Sequence, residues 1–364
     1  LIIHIPLDDR RNVELRNPDN FIKHIDSIVK CDESYVLMID EVQMMDEFVE
    51  VLNSLLYMSN VDVYVTGSNS KFLSSDIVTE FRGRGDEIHM YPLSFSEYYS
   101  AFGGDRHEVW KMYYTYGGLP QVALLDNSRK KMTYLENLMS TVFMKDILER
   151  HKVKNETEID ELTKIIASSI GSSTNPTKLS KTFKSLKNII ITNKTVSKYL
   201  GYLVDAFLIE KAVRYNIKGK KYINTLSKFY FTDLGLRNAT LEFRQLEETH
   251  LMENAIYNEL LMRGYSVDVG MVEIREKNKD GVMMRKQLEV DFVANSGNER
   301  YYIQSALSMP DEDKKRQETA SFRSIDDSFK KIIIVRDDIM PYTDNQGYRI
   351  VGLFDFLLNK NLYS

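Results

Sequence analysis

The rhythm of the first hundred residues constrains this chain most: short apolar runs alternate with longer, polar, helix-patterned stretches. Val36-Leu37-Met38-Ile39 and Val61-Asp62-Val63-Tyr64-Val65 are too short for helices, and the first is apolar on both faces. That pattern belongs to a strand of a parallel sheet covered on two sides. The spacing predicts strands at 1–5, 35–39 and 61–65 and helices at 18–30 and 46–58, a βαβ succession and hence an α/β fold. Leu1-Ile2-Ile3-His4-Ile5 reads as a buried strand with no initiator Met ahead of it, so the chain is expected to begin inside a domain.

From about 106 to 210 the pattern turns helical, with Leu135, Leu138, Met139, Val142 and Phe143 at helix spacing and Gly117-Gly118-Leu119-Pro120 as a break. After 245, a helix at 249–263 and strands near 266–269, 287–294, 300–306 and 331–335 give a second α/β unit. Its 364 residues suffice for several cores without disulfides. The lone Cys31 excludes an intrachain bridge, and no apolar run approaches the ~20 residues a bilayer crossing needs. A reduced, cytoplasmic protein with no membrane partner is expected. A net charge of −5 excludes a chain that is basic throughout, so any nucleic-acid surface must be local.

Asp40-Glu41 directly follows an apolar strand, at the carboxyl edge where open α/β sheets gather their ligands. In P-loop ATPases an Asp so placed holds Mg²⁺, and a neighbouring carboxylate polarises the attacking water. Taken alone, the dipeptide fits an ordinary acidic turn equally well. The next strand ends in Thr66-Gly67-Ser68-Asn69, which brings small polar groups to the same edge, where they can orient water or meet a nucleotide phosphate. Farther on, Phe81-Arg82-Gly83-Arg84-Gly85 sets two arginines in a glycine-flanked turn. Loop arginines neutralise transition-state charge in such enzymes, often across a subunit boundary.

Five motifs in one order, Tyr35-Val-Leu-Met-Ile-Asp-Glu-Val-Gln43, Val63-Tyr-Val-Thr-Gly-Ser-Asn-Ser70, Phe81-Arg-Gly-Arg-Gly85, Tyr91-Pro-Leu-Ser-Phe-Ser-Glu-Tyr98 and Tyr116-Gly-Gly-Leu-Pro120, carry a resemblance across nearly the whole chain. The chain resembles the bacterial AAA-type ATPases in which an ATPase core precedes a C-terminal domain of unknown function. The resemblance implies ATP and Mg²⁺ as cofactors, with Asp40 and Glu41 as the Walker B pair and Asp40 on the metal. It further implies Asn69 as the first sensor, and Arg84, or second Arg82, as an arginine finger that would make a homo-oligomer. One element is missing: no G-x-x-x-x-G-K-[ST] occurs, and the only Gly-Lys, Gly219-Lys220, is followed by Lys221 and has Arg214 where the first Gly belongs. The family carries that loop ahead of the strand that opens this chain. The expectation is a P-loop-type core lacking its phosphate loop, which by itself binds ATP poorly.

Between Lys178 and Lys221 stand eleven Lys or Arg against two acids, Asp205 and Glu210, a local net of +9 in an acidic chain. Lys178, Lys181, Lys184 and Lys187 recur every third residue opposite Leu179, Phe183 and Leu186. A second helix follows with Lys194, Lys198, Tyr199 and Tyr202, then a hairpin from Arg214 to Phe231 with Lys218, Lys220 and Lys221 at its tip. Helix, turn, helix and basic wing make a winged-helix pattern, which would lay the second helix in the major groove of double-stranded DNA and the wing lysines on phosphate. A solvated face or a protein-docking module is the plainer reading.

In the last unit Glu253 lies early in a helix, Glu289-Val290-Asp291 in a strand and Gln304-Ser305-Ala306 in the next. Alternation puts Glu289 and Asp291 on one face, and Gln304 and Ala306 on one face of their own strand. The layout is similar to the restriction-endonuclease-like fold, in which such a Glu, an Asp and an E-x-K strand bind metal and activate water. Here Ala306 stands where the ammonium belongs, so an inactive relic of that site is expected. The expected organisation is thus an ATPase core at 1–100, a helical lid at 101–150, a winged-helix module at 151–244 and a nuclease-like domain at 245–364. Three functions fit: a DNA-associated ATPase with an inactive nuclease-like domain, an ATP-gated metal-dependent DNA nuclease, and a non-catalytic DNA-tethered regulatory protein.

Overall fold

The computed structural model describes residues 1–67, 85–187, 189–277 and 283–359, which fall into two compact units, Leu1–His89 and Met90–Ser364. In the first unit, strands β1 (Ile2–Pro6), β2 (Tyr35–Asp40) and β3 (Val61–Val65) form a parallel sheet in the order β1-β2-β3. Ile3 stands beside Leu37 and Leu37 beside Val63, so the apolar stretches are in register. Helix α1 (Pro18–Ile28) starts where Asn17 accepts from the Asn20 N–H at 3.1 Å and Pro18 fills the first turn. It buries Phe21 and Ile25, while α2 (Phe48–Leu55) buries Val51, Leu52 and Leu55 in the same core as Leu37 and Ile39. The mixed α/β character and the parallel N-terminal sheet are as the sequence predicts.

The second unit opens with helices α3 (Phe95–Phe102), α4 (Arg106–Tyr116), α5 (Pro120–Ala123), α6 (Ser128–Asn137) and, after a π-helical stretch at Leu138–Met144, α7 (Lys145–His151). Next come α8 (Glu156–Ser168), α9 (Pro176–Lys187) and α10 (Asn193–Asp205), then strands β4 (Ile209–Asn216) and β5 (Lys221–Phe231) and helices α11 (Leu234–Thr240) and α12 (Glu248–Met262). The rest comprises β6 (Ser266–Lys277), β7 (Met283–Ser296), β8 (Glu299–Ala306), α13 (Glu312–Glu318), β9 (Lys330–Val335), β10 (Tyr342–Thr343), β11 (Arg349–Gly352) and α14 (Leu353–Leu358).

Among the described residues, the eight strands of this unit form one sheet in the order β10-β11-β9-β8-β7-β6-β4-β5. The hairpin expected as a basic wing lies at the sheet's edge: β4 pairs with β5 on one side and, parallel, with β6 on the other, Arg214 beside Val269. One apolar core runs from Phe95 through Phe183, Leu203, Phe231 and Ile256 to Leu357, so helices α3 to α12 and the sheet share an interior. Tyr215, Val290, Tyr302, Ala306, Phe322 and Ile333 form a second core with the same sheet.

The Tyr116-Gly-Gly-Leu-Pro120 motif has a packing role. Asp233, buried at the start of α11, accepts from the Gly118 N–H at 2.7 Å and the Leu236 N–H at 3.0 Å. Gly117 has φ +77°, and a Cβ there would lie 2.2 Å from Asp233 Oδ1. Only glycine fits both demands.

Candidate functional site

Asp40 ends β2 and Thr66 follows β3, so the parallel register brings them together at the carboxyl edge of the first sheet. The Thr66 hydroxyl donates to Asp40 Oδ1 and its oxygen accepts from the Glu41 N–H at 3.3 Å. Glu41 takes a left-handed backbone, φ 53°, uncommon for a residue with a side chain, and its Oε2 accepts from Gln43 Nε2. Both carboxylates are partly exposed and sit side by side where a ligand would lie against the sheet. A hard oxygen set of carboxylate and hydroxyl suits Mg²⁺, so the residues present fit the metal end of a nucleotide. Ser68, Asn69, Arg82 and Arg84 lie outside the described residues.

In the second unit α9 and α10 bury Leu179, Phe183, Val196, Leu200 and Leu203 and leave Lys178, Lys181, Lys184, Lys194 and Lys198 exposed. Lys218, Lys220 and Lys221 are exposed at the turn of the edge hairpin. Tyr199 faces inward, its hydroxyl donating to Glu158 at 3.3 Å, so it does not belong with the lysines. Tyr202 stacks on His151 at 3.6 Å and carries Lys198 5.6 Å above its ring.

The acidic residues of the C-terminal unit are assembled differently from the sequence expectation. Asp268 faces Val293 and Gly270 faces Val290, so Val269 alone stands across from Asp291 and Phe292. This β-bulge in β7 interrupts the alternation and turns Asp291 to the α12 side along with Phe292. There Asp291 and Glu289 meet Glu253 of α12. Gln304 and Ala306 do not join them. Ala306 and Tyr302 lie in the core on the other face of the sheet, and Gln304, between them on β8, shares that face by alternation. Ala306 is buried, and Gln304 Oε1 is buried without a hydrogen-bond partner.

The residue that sequence reasoning missed is Lys228 of β5. Its Nζ lies 2.9 Å from Glu253 Oε1, 2.8 Å from Glu289 Oε1 and 3.9 Å from Asp291 Oδ1, and the residue is 3% exposed. Burial by itself would push this amine down, but Glu253, Asp291 and Glu289 outweigh it and hold the ammonium charged. Burial raises the Asp291 carboxyl well above its ordinary value, Glu253 adds to this, and Lys228 opposes it. One signal was available: a lysine between Leu226 and Phe229-Tyr230-Phe231 in a strand has no solvent to reach. Among the described residues, no group of three or more His, Cys, Asp and Glu side chains is set to hold a metal ion.

Comparison with known proteins fits this division. The model of the AAA domain family matches residues 1–99, and that of a domain of unknown function (DUF8612) matches residues 107–247. The chain is thus an AAA-type ATPase region followed by a domain of unknown function. It is 33% identical over 331 residues to an uncharacterized protein of Haemophilus influenzae, covering 90% of this chain and 78% of that one, and belongs to the same family. An uncharacterized protein of Methanocaldococcus jannaschii is 28% identical over 369 residues, covering 97% and 78% of the two chains. Among solved structures, protein VC1899 from Vibrio cholerae aligns with 99% of this chain and 96% of its own at 12% identity and a TM-score of 0.23. The Aeropyrum pernix ORC1 protein in complex with DNA aligns over 66% and 77% at 13% identity and a TM-score of 0.26. At such TM-scores neither likeness bears on fold or function. Among the described residues no helix is long and apolar enough to cross a membrane.

Proposed function

We propose that the chain works as a cytoplasmic, Mg²⁺-dependent AAA-type ATPase on double-stranded DNA and that its C-terminal nuclease-like domain does not cleave. The observation that carries the reading is the meeting of Asp40, Glu41 and Thr66 at one sheet edge within the region matched by the AAA domain family. Asp40, fixed by the Thr66 hydroxyl, would hold Mg²⁺ together with the ATP phosphates. Bound Mg²⁺ would supply charge neutralisation at the β- and γ-phosphates. Glu41, held by Gln43, orients the attacking water and accepts its proton. Ser68 and Asn69, which follow Thr66 in the sequence, would serve as phosphate and water contacts, and Arg84, or Arg82, would complete the site of a neighbouring subunit in a homo-oligomer. The phosphate cradle is not among these 364 residues.

Support for DNA comes from the five exposed lysines of α9 and α10 and the three at the hairpin turn. A winged-helix docking would use α10 for the groove and Lys218, Lys220 and Lys221 for the backbone. Measuring ATP binding and turnover separately, in the protein as the cell makes it, tests the first claim. Glu41→Gln should keep binding and lose turnover, because the amide has the same shape but accepts no proton; turnover at the parental rate rejects the assignment. Asp40→Asn should weaken Mg²⁺·ATP binding itself.

A further inference from the structure

Lys228 occupies a built position. The three carboxylates around it come from α12 and β7, while the lysine comes from the edge strand β5. A further donor orients each carboxylate: the Tyr230 hydroxyl reaches Glu253 Oε1 at 2.7 Å, the Ser173 hydroxyl reaches Glu289 Oε2 at 3.1 Å, and the Ser305 N–H reaches Asp291 Oδ2 at 2.8 Å. Outer partners of this kind fix ligands around a cation. On one side the wall is backbone: a Cβ on Gly171 would stand 2.8 Å from Glu253 Oε1. Three acids surround one buried monovalent charge, Glu253 and Glu289 within 2.9 Å of it and Asp291 at 3.9 Å, which is more acid than an ion pair requires.

We propose that Glu253, Glu289 and Asp291 form a cation cradle whose occupant is the chain's own Lys228, and that the ammonium closes it to divalent metal ions. The inference is independent of the ATPase reading. A plain buried ion pair and a cradle part company when the lysine is removed. Deleting one partner of a pair only leaves uncompensated charge and lowers stability. Emptying a cradle also creates a place for a divalent ion.

The test is a Mn²⁺ titration of the whole chain, followed by calorimetry and by the paramagnetic signal of free Mn²⁺. The wild type should take up no Mn²⁺ that Asp291→Asn removes; any ion held at Asp40 survives that substitution and is thereby distinguished. Lys228→Ala should gain one saturable Mn²⁺ site, lost again in Lys228→Ala/Asp291→Asn, and Mn²⁺ should restore part of its lowered melting temperature. If Lys228→Ala does not fold in chelator, folding becomes the readout, and saturating Mn²⁺ should restore it. A wild-type site abolished by Asp291→Asn overturns the proposal. So does a folded Lys228→Ala that gains no site, or an unfolded one that Mn²⁺ leaves unfolded.

Discussion

Asp233 shows how one buried carboxyl can couple a loop motif to pH. Burial pushes it up from 3.8 to about 6, opposed by the N–H groups of Leu236 and Gly118. A carboxyl raised on folding binds its proton more readily in the folded chain, so its stabilising share is fully present below about 4 and is lost as pH rises through about 6. The difference in urea midpoint between wild type and Asp233→Asn should therefore depend on pH across that window and level off on either side. Asn offers one acceptor oxygen where Asp offers two, so one of the two N–H groups goes unpaired and the variant should be weaker at neutral pH as well. Gly117→Ala should cost about 2 kcal/mol or more, since it adds a Cβ at positive φ and drives it into Asp233. Thermal melts of the two variants check both statements.

At the scale of elements, α9, α10 and the β4–β5 turn bear the basic surface. Lys194→Glu and Lys198→Glu should weaken duplex binding, and each lost lysine contact should flatten the slope of log affinity against log salt by about 0.9. Changing Lys220 and Lys221 should lower affinity evenly across sequences; salt-independent binding, or none to any duplex, would make the helices a protein-docking module. The same elements mark what sequence could and could not reveal. Strand β2 was legible because its apolar run is unbroken, and β1 and β3 because each is a short, mostly apolar run interrupted only by His4 or Asp62, although Ile2, Tyr64 and Val65 are exposed. By contrast β6 and β7 run well past 266–269 and 287–294, because residues 272–277 and 283–288 pair with each other and Arg275, Arg285 and Lys286 are exposed, leaving no apolar run to read. Neither the pairing of β4 with β6 nor the reach of Lys228 to Glu289 leaves a local trace, since the partners lie more than fifty residues apart. Asp40-Glu41 was found because its strand and turn are contiguous. Asp291 was found, but the likeness to the nuclease-like fold grouped it with Gln304 and Ala306, and the bulge in β7 turns it to the other face of the sheet.

For the molecule as a whole, the absence of an ammonium at 306 and the diversion of the acids onto Lys228 lead to one expectation. The purified protein should not nick plasmid or linear DNA with Mg²⁺ or Mn²⁺, and Asp291→Ala should leave DNA binding and ATP turnover nearly unchanged. Metal-dependent nicking abolished by Asp291→Ala would instead favour the ATP-gated nuclease. The sheet order also has a consequence for how the chain is made. Strands β4 and β5 leave the ribosome as a hairpin, and the open side of β4 receives β6 only after Ser266–Met271 has followed. Until then a bare strand edge is exposed, the kind of surface that recruits other nascent chains. A fragment cut at residue 247, where the second family match ends, would keep that edge permanently and should be recovered as aggregate.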